Sequence, residues 1–208
     1  PEWSEHVLRW RERNAELRTG EAPDAAEEYL LYQTLIGVWP IGPDRLLPYL
    51  EKAMREAKRN TSWAEIDEAW EQATLDFARR VIDHEPFLAD FEPFCDRVAR
   101  EGERSALGQL LLKLTSPGVP DTYQGTETWD LSLVDPDNRR PVDYELRRTQ
   151  FASPTGPISP TNLVEHWHDG RSKLFSLRTP SCFRREPPLL FAAGASAPSP
   201  ARAPVSDT

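Results

Sequence analysis

LLKLTSPGVPDTYQGTETWDLSLVDPDNRRPVDY, residues 111–144, is where the chain changes character. Its opening residues close an apolar run, LGQLLLKL at 107–114, and Thr115-Ser116-Pro117-Gly118 then supplies a strong stop made of Pro and Gly. Beyond the stop, short Val and Tyr groups alternate with prolines, aspartates and arginines. This pattern predicts a short buried strand at about 119–123 and then a long polar loop. Loops beyond strand ends are where chemistry usually sits.

Towards the amino end the apolar spacing is helical. Trp3, Val7, Trp10 and Leu17 fall on one face of a first helix that Thr19-Gly20 ends. Pro23-Asp24 opens a second helix carrying Ala25, Tyr29, Tyr32, Leu35, Ile36 and Trp39, and Pro40 and Gly42-Pro43 interrupt it. A third starts at Pro43, a favoured first-turn place for proline, with Leu46, Leu50, Met54 and Ala57 on one side. The fourth has the clearest amphipathic pattern: Thr61-Ser62 precede Ile66, Trp70, Ala73, Phe77 and Val81, while Glu65, Glu68, Asp76 and Arg80 take the wet side. Two more stretches, about 86–101 and 103–114, read as separate helices. The aromatics on these faces suit core anchors between helices; Trp39 and Trp63, at helix ends, also suit stacking on a sugar ring.

The chain has 208 residues, with 25 basic and 34 acidic side chains and a formal charge of −9. That balance argues against nucleic acid, which needs clustered Lys and Arg. The longest apolar run falls far short of the roughly 20 residues that cross a bilayer, so no membrane span is expected. PEWSEHVLRW at the amino end has neither a basic leader nor an apolar h-region, and a cytoplasmic location is expected. Cys95 and Cys182 are far apart and form no CxxC, which suits a reduced pair.

The polar loop gathers Asp121, Glu127, Asp130, Asp135, Asp137 and Asp143 with Arg139 and Arg140. Two carboxylates roughly 5–9 Å apart would serve glycoside hydrolysis. The same residues also suit a plainer role, with aspartates capping turns and arginines gripping carboxylates. His166 and His168 alternate in EHWHDG but no Cys joins them, so no metal site is expected. The spacings GxSxG, GxxxxGK[ST] and HExxH are absent, as is a Rossmann glycine triplet, and no cofactor is expected.

The run at 111–144 resembles the malto-oligosyltrehalose synthase family of the α-amylase-like glycoside hydrolase superfamily. REAKRNTSW at 55–63 is similar to a helical insertion of that family, and EHWHDGRSKL at 165–174 to the start of a helix after its barrel. The resemblance covers about residues 1–177. It implies a mostly α chain made of a helical insertion subdomain at 1–102 and the end of a (β/α)8 TIM barrel at 103–177, with PGVPDTYQGTE as the last strand and its loop. Residues 178–208 depart from the family pattern: Pro180 and Pro187-Pro188 are expected to interrupt the helix, leaving a Pro/Ala/Ser-rich tail without order.

The implied activity is an isomerase reaction of trehalose biosynthesis. It converts the reducing-end α-1,4 linkage of a malto-oligosaccharide to α,α-1,1 by intramolecular transglycosylation, without a cofactor. The family's nucleophile, acid/base and stabilising carboxylates match nothing in these residues, so no catalytic residue is assigned and the chain alone is expected to be inactive. Tyr123, Gln124, Glu127, Asp135 and Arg139 are expected to line the saccharide groove of a complete enzyme. Two other readings stand beside this one: a helical interaction module that complements a separately encoded amino-terminal half, or a relic without function.

Overall fold

The computed structural model describes residues 2–152, 160–195 and 197. Among them the regular structure is helical: α1 (Glu2–Arg13), α2 (Ala25–Val38), α3 (Pro43–Ala57), α4 (Glu68–Val81), α5 (Glu85–Thr115), α6 (Tyr144–Ala152), α7 (Pro160–Glu165), α8 (Arg171–Phe183) and α9 (Pro188–Ala193), with short 3-10 turns at Ala15–Leu17, Asp137–Arg139 and Trp167–Asp169. None of these helices is long and apolar enough to cross a membrane. By packing, the chain divides into Pro1–Glu103 with Leu131–Pro141, and Arg104–Asp130 with Val142–Thr208.

The first unit is built on aromatic anchors. Trp10 is completely buried, and its ring meets those of Tyr32, Phe87, Phe91 and Phe94 edge-on at centroid distances of 5.4–5.7 Å. Its indole N–H donates to Asp90 Oδ2 at 2.8 Å, so the one polar atom of the ring is satisfied. Around it, Leu35 from α2, Leu46 and Leu50 from α3, and Phe77 and Val81 from α4 complete the core.

Local chemistry sets the helix ends. Asp24 caps α2 by accepting from the N–H groups of Ala26 (2.8 Å) and Glu27 (2.9 Å), while Glu27 accepts from the Asp24 N–H at 3.0 Å. Burial acts to raise the Asp24 carboxyl pKa, but these bonds and those from Asn60 and Arg59 hold it at about 2. Pro43 occupies the first turn of α3, where its missing N–H costs nothing.

Two expectations are corrected here. The two stretches at 86–101 and 103–114 form one helix, α5, which carries Pro93 and Gly102 in its interior. The strand at 119–123 is not formed. Among the described residues the β pairing is an isolated bridge between Thr19 and Ala22, so the reading as part of a TIM barrel, with a last barrel strand, does not hold. The physical reason is pairing: a strand requires a neighbour for its N–H and C=O groups, and among the described residues 119–123 has no such neighbour. Val119 lies 96% exposed instead of buried.

The second unit holds the last turns of α5 together with α6–α9. Leu110, Leu114, Leu174 and Phe191 are its buried apolar side chains. α8 runs through Pro180 to Phe183, and Pro188 opens α9 at its first turn. The remaining tail, 196 and 198–208, lies outside the described residues, as do 153–159.

Candidate functional site

The sequence-predicted site residues fall in two places. Tyr123, Gln124 and Glu127 belong to the second unit, Asp135 and Arg139 to the first. Each group is held by its own set of partners.

In the second unit the loop that leaves α5 is clamped by Arg147 of α6. Arg147 Nε donates to Glu127 Oε2 at 2.9 Å, and a terminal nitrogen donates to the Gly125 carbonyl at 2.6 Å. The other terminal nitrogen reaches the Asp143 carbonyl at 3.0 Å, and Glu127 Oε2 also accepts from the Gly125 N–H at 3.0 Å. Gly125 turns the chain at φ +92°, a conformation that favours glycine. Tyr144 donates its hydroxyl to Gln124 Oε1 at 3.0 Å, while Tyr123 stays 46% exposed. Glu127 is therefore committed to shaping this loop, and Tyr123 and Gln124 are among its exposed polar groups.

The far end of the same loop docks on residues 167–173. Trp129 donates its indole N–H to the Trp167 carbonyl at 2.8 Å. Lys173 Nζ donates to the Thr128 carbonyl at 3.0 Å and lies 5.6 Å from the Trp129 ring centroid. Burial pushes the Lys173 pKa below the usual lysine range. Gly170 makes the approach possible: its φ is +82°, and an added Cβ would stand 2.7 Å from Thr128 Cβ.

In the first unit, residues 131–141 are tied down by Asp137. Its carboxylate accepts from Arg45 Nε and a terminal Arg45 nitrogen, both at 2.9 Å, and from the Leu133 N–H at 2.7 Å. The bidentate Arg45 bond, helped by the Leu133 N–H and the nearby Arg140, outweighs burial and holds the Asp137 carboxyl below its usual pKa. Asp135 forms an ion pair with Arg139, and its carbonyl accepts from Lys52 Nζ at 2.5 Å.

The plainer role is seen for three of these aspartates. Asp135 and Asp137 pair with arginines, and Asp143 accepts from the Leu146 N–H at 2.9 Å at the start of α6. Of the aromatics considered for sugar stacking, Trp39 packs edge-on against Phe91 at 5.3 Å. Trp63 is 57% exposed, with the Arg55 guanidinium 4.9 Å from its ring centroid. Sequence reasoning missed Arg45, Arg147 and Lys173, whose partners lie 92, 20 and 45 residues away. No local spacing signals such pairs. Among the described residues, no group of three or more His, Cys, Asp or Glu is placed to hold a metal ion.

On these helical elements the carboxylates of Glu127, Asp135, Asp137 and Asp143 are engaged by arginines and N–H groups, while Tyr123 and Gln124 are exposed. Comparison with known proteins shows homology to a segment of maltooligosyl trehalose synthases. It is 38% identical over 193 residues to a putative maltooligosyl trehalose synthase of Mycobacterium tuberculosis, covering 89% of this chain and 23% of the relative. A crystal structure of a maltooligosyl trehalose synthase superposes with a TM-score of 0.82 at 29% identity, over 92% of this chain and 26% of that one. The Arthrobacter ramosus maltooligosyltrehalose synthase structure superposes with a TM-score of 0.68 at 33% identity, over 89% and 24%. The chain thus spans about a quarter of the length of the relatives it matches. No protein-family model matches it.

Proposed function

We propose that this chain acts as a helical module of a malto-oligosyltrehalose synthase, docking on the remainder of the enzyme and contributing no catalytic carboxylate of its own. The observation that carries this is the extent of the homology, 89% of this chain against 23% of the relative. The surface of the second unit supports it. Leu111, Leu112, Val119, Leu189 and Leu190 are each more than half exposed, an apolar display larger than a free surface needs. The occupant of that surface is the part of the synthase that this chain does not span. In the complete enzyme, Tyr123 and Gln124 would donate to and accept from saccharide hydroxyls, with Glu127 fixing their loop through Arg147. Asp135 and Arg139, in the first unit, would be further saccharide contacts of the complete enzyme. The reaction of the whole would be the intramolecular conversion of a reducing-end α-1,4 linkage to α,α-1,1.

The test is complementation. The M. tuberculosis relative, expressed without the region it shares with this chain, is mixed with the 208-residue chain, and association and product formation from maltopentaose are followed. We expect association, an α,α-1,1-linked product from the mixture, and none from either polypeptide alone. A chain carrying Leu112→Asp and Leu189→Asp should fold and fail to associate. Transglycosylation by the rigorously pure chain alone would refute the module reading, and so would absence of association between two folded partners.

A further inference from the structure

A second feature of the 104–130 and 142–208 unit lies apart from the acidic loop chemistry. A groove of about 480 Å³ runs between α6 and α8. Its floor is apolar, formed by Phe151, Leu174 and Leu177, and Arg147, Arg148, Arg178 and Arg185 stand along it with Glu127 as the one carboxylate in the lining. Glu127 is spent on Arg147 at 2.9 Å, which leaves three guanidiniums to account for.

Arg148 pairs with Glu145 at 3.1 Å, but both side chains are at least three-quarters exposed, and such i,i+3 surface pairs hold weakly in water. Arg178 has its guanidinium 4.4 Å from the Phe151 ring centroid, with one long 3.5 Å bond to the Phe151 carbonyl. Arg185 has no side-chain hydrogen bond or ion pair among the described residues. In a chain with a charge of −9, the convergence of these like charges on one apolar floor is a local reversal of the overall field. Planar guanidinium forks match the oxygens of a phosphate, and a stacked Arg178–Phe151 pair presents a flat face to a ring.

We infer that the α6–α8 groove binds a small phosphomonoester carried on a ring, with Arg178 and Arg185 gripping the phosphate, Arg148 at the rim, and the Phe151, Leu174 and Leu177 floor taking the ring. Ser181 and Tyr144 line the same groove; their hydroxyl protons are given to the Leu177 carbonyl at 2.7 Å and to Gln124 Oε1 at 3.0 Å, so their oxygens are left to accept from ring hydroxyls or amines of the ester. Nucleotides and sugar phosphates share this chemistry. The site uses no residue of the proposed saccharide loop except Glu127, and it stands whether or not the chain docks on a larger enzyme.

The experiment is calorimetric titration of the full chain with AMP, glucose 6-phosphate and inorganic phosphate at low and at raised salt. We expect saturable one-to-one binding of at least one ester, tighter than inorganic phosphate and weakened by salt. The tighter of the two esters identifies the ring class. Arg185→Gln, at an exposed position without partners, should leave the circular dichroism and melting unchanged and weaken the ester about tenfold, as loss of a charge-assisted bond requires. Arg178→Gln should weaken it at least as much, whereas Arg139→Gln in the other unit should change nothing. Absence of saturable binding by all three probes would overturn the inference. So would equal affinity for inorganic phosphate and the esters, or wild-type affinity in both Arg178→Gln and Arg185→Gln.

Discussion

Replacing Asp137 by Asn keeps the side chain's shape and removes the charge around which residues 131–141 are organised. The carboxylate accepts three bonds, two from Arg45 at 2.9 Å and one from the Leu133 N–H at 2.7 Å, and Arg140 approaches Oδ1 at 3.3 Å. Both oxygens face donors, so either orientation of an Asn amide sets an N–H against another donor. The Asp137 side chain is only 7% exposed, and water cannot fully replace what is lost. An Asn keeps most with its amide oxygen in the Oδ2 place, so the Arg45 Nε bond is lost and the other two fall to a neutral acceptor; with hydrogen bonds to charged groups worth about 1.5–3 kcal/mol each, the cost is about 2–3 kcal/mol. It should appear in chemical denaturation of the chain and as faster hydrogen exchange at the Leu133 amide, because Leu133 packs against the core of the first unit. Asp137→Asn and Arg45→Met combined should cost clearly less than the sum of the single changes.

The same carboxylate gives the experiment a pH signature. Its folded pKa is depressed, so the unfolded chain binds more protons between the folded value and the ordinary carboxylate range near 3.9. The stabilisation is complete above that range and is lost as pH falls through the folded pKa. Asp137→Asn should remove this part of the acid limb. A stability loss below about 0.5 kcal/mol, within the range of ordinary surface substitutions, together with unchanged Leu133 exchange, would refute the anchoring role.

Three other outcomes follow from the same geometry. Gly170→Ala places a methyl group 2.7 Å from Thr128 Cβ at φ +82°, and should cost about 1–3 kcal/mol, read as earlier exposure of Trp129 fluorescence on heating. Trp10→Ala empties the centre of the aromatic cluster and leaves Asp90 without the indole bond, so a loss of about 3–5 kcal/mol is expected in denaturant unfolding. Cys182 is exposed whereas Cys95 is buried with its thiol pushed up by burial to about 11, so a thiol reagent should modify one cysteine at once and the second only with unfolding. Equal rates at the two thiols would contradict the packing of α5.

The helices were legible because their signals are local. Trp3, Val7 and Trp10 repeat at helical spacing, Asp24 and Glu27 are three apart as a capping box requires, and Pro43 stands where a first turn accepts proline. α5 was divided too early because a glycine sits where two apolar patterns meet. Gly102 has open space around its Cα, so its helix cost of about 1 kcal/mol is offset by the turns on either side. In the loop, Asp143 with Leu146 was readable, being three residues apart, as was Asp135 with Arg139 at four. Arg45 with Asp137 was not: a single basic side chain on the wet face of α3 carries no mark of a partner 92 residues on.

The segment at 119–123 shows why composition alone overstated a strand. Val, Tyr and Thr favour a pleated, half-buried surface, but that preference is expressed only against a neighbour that supplies the other half of the ladder. Pro117 and Pro120 bring no N–H, and Val119 faces solvent. Side chains instead take the Asp121 carbonyl and carbonyls just before the stretch: Lys113 Nζ donates to the Asp121 carbonyl at 2.9 Å, and Arg184 donates to the carbonyls of Leu114 at 2.7 Å, Ser116 at 2.9 Å and Gly118. Arg184 caps the end of α8, and it closes the end of α5 where helix carbonyls lack internal partners. The Gly118 N–H in turn donates to the Phe191 carbonyl at 2.7 Å. The chain leaving α5 is therefore tethered by cationic side chains and one carbonyl of α9, so residues 178–195 are part of what holds the loop bearing Tyr123 and Gln124.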